Sequence, residues 1–265
     1  MSSKLGPLLV NEMSKAVRRK LPWFGVFAVA VLCGLIFVVA DQVSAAASAN
    51  AWGYAAFSMH AVFSDIGLIV LLVFSSMLMA EETGTGTIRA ALAAPIHRWE
   101  LYVAKAITGL AYMLFISLCS LLFSLLLARI HFQFGDVTDA LGVVYNKTTV
   151  LKAFAMGVLL SWVPLAALLM YGLFISTLVR SSGAAVAVAI CTMYLLDFTK
   201  HLLRIDPYIF TKYIGYPWQV LQQMAQGVDY QWQPTVWKLL ELSGGCGLAA
   251  FLAGLVLFLR RDLNH

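Results

Sequence analysis

Long apolar stretches alternate with short polar ones along most of the chain. A helix needs about 20 apolar residues to cross the roughly 30 Å hydrocarbon layer of a bilayer, because its backbone polar groups must be satisfied internally. Six stretches reach or approach that length and are predicted to span the membrane: 21–40, 61–80, 107–128, 153–179, 183–198 and 237–259. No linker or internal repeat divides them. The pattern therefore predicts an all-α membrane protein with one domain over residues 1–265 and six transmembrane helices.

Composition excludes a water-soluble fold. Of the 265 residues, 61% are hydrophobic and 12% are charged, against about 45–50% and about 25% in soluble domains. A globule of this size could not hide so much apolar surface. The four cysteines lie singly in apolar runs, which indicates packing rather than a metal site or a redox pair. A nucleic-acid partner would need cations clustered on one folded face, so none is predicted.

Residues 1–20 are predicted to form an amphipathic helix in the membrane interface, with membrane lipid as a partner. Its apolar side would carry Leu5, Leu8, Leu9, Met13, Ala16 and Val17, and its polar side Lys4, Asn11, Lys15 and Arg18. Pro22 would then mark the turn into the first span. The alternative is a disordered basic leader. The apolar run that follows is a full span without a convincing cleavage site, so we expect an anchor rather than a signal peptide.

The distribution of Lys and Arg predicts the orientation. With the N-terminus inside, eleven of the 18 Lys and Arg residues lie on the inner side, and none lies in the outer loop 41–60. Both termini are therefore predicted to be cytoplasmic. The outer segment 200–233 is rich in Tyr, Trp and Gln, and a short interfacial or re-entrant helix is expected at about 218–226. The function of that segment is open.

The most informative segment is the predicted cytoplasmic loop 81–105, between the second and third spans. Two carboxylates end the second span, and Gly-Thr pairs interrupt the helix. A short apolar helix face that includes Leu92 follows, with Thr87 as a suitable N-cap and Pro95 as its end. The pattern predicts a short helix that lies across the membrane surface and can receive a push from a cytoplasmic partner.

This loop resembles the cytoplasmic loop of permease subunits of ATP-binding-cassette transporters of the ABC-2 type. The family pattern has a Glu, then Gly-Thr, a Leu, a Pro, an Arg three positions on and a Lys seven beyond that. It is matched here by Glu82, Gly86, Thr87, Leu92, Pro95, Arg98 and Lys105. This chain has Gly84 where the family often has a second acidic residue. The six spans, the N-terminal amphipathic helix and the length agree with the family over the whole chain.

The resemblance implies a permease in the bacterial inner membrane that forms a translocation path and exports a lipid-, glycan-, peptide- or drug-like substrate. The loop helix would be a coupling helix in a groove of a separate ATPase subunit. Glu82 and Arg98 would be polar contacts, Leu92 an apolar anchor, and Gly86 and Pro95 would set the backbone geometry. Six spans make half a transporter, so a second permease copy, identical or paired, is expected. A periplasmic partner is left open.

The sequence contains no Gly-x-x-x-x-Gly-Lys-Ser/Thr phosphate-binding motif. We therefore expect no ATP hydrolysis and no cofactor or metal in this chain, with ATP and Mg bound by the partner ATPase. The run Leu242-Ser243-Gly244-Gly245 resembles part of the signature sequence of those ATPases, but it lies in the sixth span, where glycines are expected to serve helix packing. An ATP-driven mechanical or assembly complex without solute transport, or a secondary carrier, is the alternative function.

Ionisable residues within spans suggest a substrate route, because a charge at mid-bilayer costs about 2.5–3.5 kcal/mol on insertion scales. Asp65, Asp197 and Glu241 are the candidates, and all three lie near predicted outer ends, where placement at the interface also explains them. Ser75 and Ser76 follow Asp65 on the same predicted helix. The hypothesis is that this helix borders the substrate route.

Overall fold

A computed structural model describes residues 5–43, 50–86, 96–139, 142–203 and 205–261, and these are almost entirely helical. The α-helices are α1 (Leu5–Arg18), α2 (Lys20–Val43), α3 (Ala51–Ser64), α4 (Ile66–Gly84), α5 (Arg98–His131), α6 (Lys147–Leu178), α7 (Ser182–Leu202), α8 (Tyr216–Ala225) and α9 (Thr235–Arg260). An antiparallel hairpin of β1 (Val137–Asp139) and β2 (Gly142–Tyr145) connects α5 to α6. Two 3₁₀ turns, Asp206–Tyr208 and Phe210–Tyr213, precede α8.

Six helices in the described part of the chain are long and apolar enough to cross a membrane, which confirms the predicted six spans. They are α2, α4, α5, α6, α7 and α9. The fifth span is a continuous helix and is longer than the Ala- and Val-rich stretch predicted for it. Helices α5 and α6 have 34 and 32 residues, so they are about 51 and 48 Å long. Both therefore extend beyond the hydrocarbon layer.

An even number of spans returns the chain to the side on which it started. Helix α1, the end of α4, the start of α5, the turn between α6 and α7 and the end of α9 share one end of the bundle, which we call the loop end. The β-hairpin, α3 and α8 lie at the opposite end, which we call the hairpin end.

Helix α1 confirms the predicted amphipathic helix. Leu8 is buried and Ala16 packs against the main core, so the apolar side of α1 lies on α5. Pro22 falls in the first turn of α2, where its missing N–H leaves no helical hydrogen bond unmade. The carbonyl of Pro22 accepts a hydrogen bond from the Tyr112 hydroxyl at 3.3 Å, which ties α2 to α5.

The second span begins later than predicted, because part of the expected outer loop forms a separate helix, α3. The chain breaks at Asp65, whose φ of −126° and ψ of −96° are not helical, and α4 follows. Ala51 at the start of α3 shares a small apolar cluster with Ala128 near the hairpin end of α5. Residues in the last turn of α3 line the same cavity as Lys200, which lies at the hairpin end of α7. Helix α3 therefore lies across the hairpin end of the bundle.

Helix α8 confirms the short helix predicted near 218–226, and it runs antiparallel to α3. Gly215, which precedes α8, lies against His60 near the end of α3. At the other end, Asn50 donates from its side-chain amide to the carbonyl of Ala225 at 2.8 Å and also caps α3. The α3–α8 pair therefore closes the hairpin end.

Close packing explains two of the glycines in α9. A Cβ on Gly247 would meet the α6 backbone at 3.0 Å, and one on Gly254 would meet the Tyr102 hydroxyl at 2.2 Å. Gly244 and Gly245 have no such neighbour within 4 Å. Within the described subunit these two glycines lie on an exposed side of α9, so their role in helix packing stays a prediction.

Candidate functional site

Four charged side chains meet at the loop end, and we call them the ionic cluster: Glu12 and Lys15 on α1, Glu82 on α4 and Lys105 on α5. Lys105 Nζ lies 2.9 Å from Glu12 Oε2 and 2.9 Å from Glu82 Oε1. Lys15 Nζ lies 2.6 Å from Glu12 Oε1 and 3.2 Å from Glu82 Oε1. Each carboxylate therefore faces both ammonium groups, and the four formal charges cancel.

Three members of the ionic cluster are removed from solvent. Glu12 and Glu82 are 5% exposed and Lys105 is 1% exposed. Taking a charge out of water is costly, and partners compensate only with good geometry. Loss of one partner of a buried pair typically destabilises a protein by about 3–5 kcal/mol, because it leaves a charge uncompensated. The ionic cluster therefore holds α1, α4 and α5 together.

Electrostatics keep the α1 members of the ionic cluster ionised. Burial alone would raise the pKa of Glu12, but the charge of Lys105 and hydrogen bonds from Lys15 and Lys105 outweigh it and lower that pKa. Burial alone would lower the pKa of Lys15, but its hydrogen bond to Glu12 and the charge of Glu82 outweigh it and raise that pKa. The ion pairs of α1 are therefore intact across the neutral pH range.

The ionic cluster attaches α1 to both stems of the loop 81–105. Glu82 lies in the last turn of α4, and Lys105 lies two turns into α5. A further ion pair joins Arg19, between α1 and α2, to Glu81 at 2.7 Å, with side chains that are 29% and 35% exposed. Ion pairs from the first 20 residues therefore reach both helices that flank the loop.

The local sequence sets where the two stems end. Gly86 follows α4 with a φ of 73°, in the left-handed region that glycine adopts without a steric penalty. At the other stem, His97 and Glu100 form a capping box at the start of α5. The carboxylate of Glu100 accepts the backbone N–H of His97 at 3.0 Å. The loop between Gly86 and His97 is thus framed by two helix termini with defined geometry.

The structure brings together two of the predicted loop residues, Glu82 and Lys105, inside the subunit. Within the subunit the side chain of Glu82 is buried against Lys15 and Lys105, and its contact with a partner ATPase stays a prediction. Sequence analysis missed Glu12. The signal was available, because Glu12 lies four residues from both Leu8 and Ala16 and so places a carboxylate in the apolar stripe of α1.

Arg98 lies at the start of α5 and contacts the end of α9. Its Nη1 donates to the carbonyl of Arg261 at 2.8 Å and to that of Leu259 at 3.4 Å. Arg261 donates in turn to the carbonyl of Thr177 near the end of α6, at 2.6 Å. Cations at helix C-termini satisfy carbonyls that have no helical partner. Within the subunit, Arg98 therefore joins the start of α5 to the end of α9. The other predicted loop residues, Thr87, Leu92 and Pro95, lie outside the described residues.

Gly84 brings the first loop stem against the turn between α6 and α7. A Cβ at this position would lie 2.8 Å from the carbonyl oxygen of Arg180. An acidic side chain here would need a shift of the backbone, so the departure from the pattern at Gly84 has a steric reason. The loop stem and the second turn of the loop end are in direct contact.

The structure does not bring together the residues of the predicted substrate route. Asp65 is exposed at the hairpin end, about 15 Å along the helix axis from Ser75. Ser75 and Ser76 are fully buried and donate to carbonyls of their own helix. A Cβ on Gly172 of α6 would come within 1.9 Å of Ser75 Oγ, so the two helices touch at this point. Within the described subunit this face of α4 is packed against α6, and the substrate route along α4 stays a prediction.

These features define a class of protein: a multi-pass helical membrane protein whose N-terminal amphipathic helix is joined by buried ion pairs to both stems of an inter-span loop. A family model described as ABC-2 family transporter protein matches residues 8–196, from α1 through most of α7, and so contains the whole ionic cluster. The chain belongs to this family, as the resemblance implied, and is therefore a membrane component of the ABC transporter type. A comparison with curated proteins finds no match.

Proposed function

We propose that this chain is a permease subunit driven by a separate ATP-binding-cassette ATPase, with the loop 81–105 as the coupling element. The observation that carries the proposal is the position of Glu82 and Lys105, one on each loop stem, in a buried ionic cluster with α1. The ATPase would bind ATP and Mg and would contact the coupling helix. This chain would supply the path through the membrane.

The ionic cluster gives a physical route for the coupling. Separation of α1, α4 or α5 from the other two helices would leave charges without partners in a buried site, so the three helices move as one body. Arg98 extends this body to the end of α9, and the contact of Gly84 with Arg180 extends it to the turn between α6 and α7. A push on the loop therefore acts on most of the loop end.

The proposed orientation places the loop end and both termini in the cytoplasm, with the subunit in a bacterial inner membrane. Support comes from the cations at the loop end, since positively charged residues favour the cytoplasmic side. They are Lys15, Arg18, Arg19, Lys20, Arg98, Lys105, Arg180, Arg260 and Arg261.

The complete transporter would contain a second permease copy, identical or paired, since one chain supplies six spans. Helices α7 and α9 are mostly uncovered within the subunit and leave apolar surface for lipid or for that copy. We propose export of a lipid-, glycan-, peptide- or drug-like substrate. If the complex does mechanical work instead of transport, we propose a periplasmic protein as a further partner.

Tagged purification in mild detergent tests this function. The co-purified proteins are identified by mass spectrometry after gentle crosslinking, and ATPase activity is measured for wild type, Leu92→Asp and the control Lys238→Gln on the exposed hairpin end of α9. We expect an ATP-binding-cassette ATPase with wild type and Lys238→Gln, and its loss with Leu92→Asp. Purification without any such ATPase after crosslinking would overturn the proposal.

A further inference from the structure

An apolar groove of about 960 Å³ runs between the hairpin-end halves of α5 and α6. Its walls include Leu122, Leu125 and Leu126 of α5 and Leu151, Phe154 and Leu159 of α6. Leu122 and Leu126 are 55% and 53% exposed, and Leu159 is 58% exposed. Within the described part of the chain, these leucines therefore remain accessible along a concave surface. Its volume is at the upper end of the range typical of small-molecule sites, about 300–1,000 Å³.

The depth of this apolar groove in the membrane follows from the spans. The sequence predicts that α5 crosses the hydrocarbon over 107–128 and that α6 enters it at 153. Eight lining residues lie in the last two turns of the first segment or the first two turns of the second: Leu121, Leu122, Leu125, Leu126, Phe154, Ala155, Val158 and Leu159. Leu151, Arg129 and residues 132–134 also line the apolar groove and lie beyond these segments, towards the hairpin end. Most of the apolar groove therefore lies at the level of the acyl chains in the leaflet at the hairpin end, and its outer part reaches the level of the headgroups.

One cation lines the mouth of the apolar groove, and a second lies near it on α6. Arg129 is exposed and lines it one helical turn beyond Leu125. Lys147 is exposed and precedes Leu151 by four residues, which places it on the same face of α6, one turn nearer the mouth. The nearby carboxylate of Asp136 accepts the backbone N–H of Lys147 at 2.5 Å and so caps α6. Apolar walls at acyl depth thus end in positive charge at the level of the headgroups.

We propose that the apolar groove binds an anionic phospholipid from the leaflet at the hairpin end. Its acyl chain lies along the leucines, and its phosphate lies between Arg129 and Lys147. The match is one of charge and of depth, since an anionic amphiphile presents a negative head directly above an apolar tail. This site requires neither an ATPase nor transport, so it goes beyond the proposed function. In the proposed orientation this leaflet is the outer one, but the site itself does not depend on the orientation.

Photo-crosslinking in vesicles tests the site. The full chain is reconstituted in phosphatidylcholine vesicles that carry a small fraction of phosphatidylglycerol with a photoreactive group on its acyl chain, and labelled peptides are located by mass spectrometry. A parallel sample carries the same group on phosphatidylcholine. We expect phosphatidylglycerol to label residues 121–126 and 151–159 several-fold more than phosphatidylcholine does. Equal labelling of the apolar groove by both lipids, or labelling mainly elsewhere, would overturn the proposal.

Charge and shape variants separate specific binding from general contact with lipid. Arg129→Gln and Lys147→Gln should each lower labelling by phosphatidylglycerol about fivefold, the effect expected for one cation near an anionic lipid surface. Lys238→Gln removes a cation from α9 at the same end and should leave labelling unchanged. Ala155→Phe fills the apolar groove without altering charge and should lower labelling by both lipids. Wild-type labelling in the double variant of Arg129 and Lys147 would refute the role of the cations.

Discussion

The two ends of the bundle hold their polar side chains in different ways. At the loop end, the ionic cluster joins residues far apart in the chain, since Glu12 and Lys105 are separated by 93 positions. At the hairpin end, Lys200 pairs with Asp197 three residues earlier on the same helix. The Asp197 side chain is 44% exposed, and Lys200 also donates to Thr211 at 3.1 Å. Among the described residues, ion pairs connect separate helices at the loop end and stay within one helix at the hairpin end.

Neutral groups make the long-range polar contacts of the hairpin end. Asn50 reaches the carbonyl of Ala225, and Gln219 lies 3.1 Å from His60, so amides and an imidazole join α3 to α8. Such hydrogen bonds contribute about 0.5–1.5 kcal/mol each, whereas a broken buried ion pair costs about 3–5 kcal/mol. Separation of the helices therefore costs more free energy at the loop end than at the hairpin end.

The largest expected effect comes from Lys105→Met, which leaves Glu12 and Glu82 with Lys15 alone. We expect the free energy of unfolding to fall by about 3–5 kcal/mol, because a buried negative charge loses its partner. Denaturation in detergent, followed by circular dichroism, measures the change. In the double variant Glu12→Gln, Lys105→Met the charges balance again and part of the loss should be recovered. Additive losses in the double variant would show that the ionic cluster does not act as a unit.

A smaller loss is expected at the hairpin end. Asn50→Ala removes the cap of α3 and the bond to Ala225, and should lower the free energy of unfolding by about 1–2 kcal/mol. Asn146→Ala is a matched control, since Asn146 precedes α6 without a side-chain capping bond and should change little. A loss for Asn50→Ala as large as that for Lys105→Met would contradict the contrast between the two ends.

Acid should affect the hairpin end before the loop end. Burial lowers the pKa of His60 below 6.5, and the charge of Asp65 opposes this shift only in part. Neutral His60 is therefore favoured in the folded state, and its contribution to stability declines as the pH falls from 6.5. Glu12, whose pKa is lowered, loses its contribution only as the pH falls from 4.5. The cavity beside His60 also contains the charged residues Asp197, Lys200, Asp206 and Lys212.

Hydrogen exchange checks this order of events. Between about pH 7 and about pH 5.5, protection corrected for intrinsic rates should fall in α3 and α8 while that of α1 is retained. His60→Gln has no imidazole to protonate and should show no such difference. If α1 lost protection before α3 and α8, the loop end would be the acid-sensitive end and the prediction would be wrong.

The smallest effect is expected for Arg19→Gln at the loop end. The ion pair with Glu81 is short, but both side chains are about one-third exposed. Water and salt screen such pairs, so the loss should be below about 1 kcal/mol. Arg18→Gln removes an exposed neighbouring cation and serves as the control. If Arg19→Gln lowered the free energy of unfolding by more than about 2 kcal/mol, this exposed pair would contribute as much as a buried pair and the prediction would be wrong.

Hydropathy predicted the spans and the amphipathic α1, because both follow from periodicities within one segment. The loop pattern predicted Glu82 and Lys105 as important residues, but not that they meet Glu12, since that contact depends on packing between distant segments. Helix α3 was missed because it is apolar and directly precedes α4, and only the backbone at Asp65 separates them. The contacts of Arg98 with α9 also need the assembled bundle.

Helix α5 gives the ion pairs at one end of the molecule a mechanical consequence at the other. It carries Lys105 near its start and leads into the β-hairpin, with about 51 Å of uninterrupted helix in total. Each degree of tilt about Lys105 would displace the far end of α5, 26 residues or about 39 Å away, by about 0.7 Å. A rotation too small to disturb the lysine at the pivot would therefore move the strands by several ångströms.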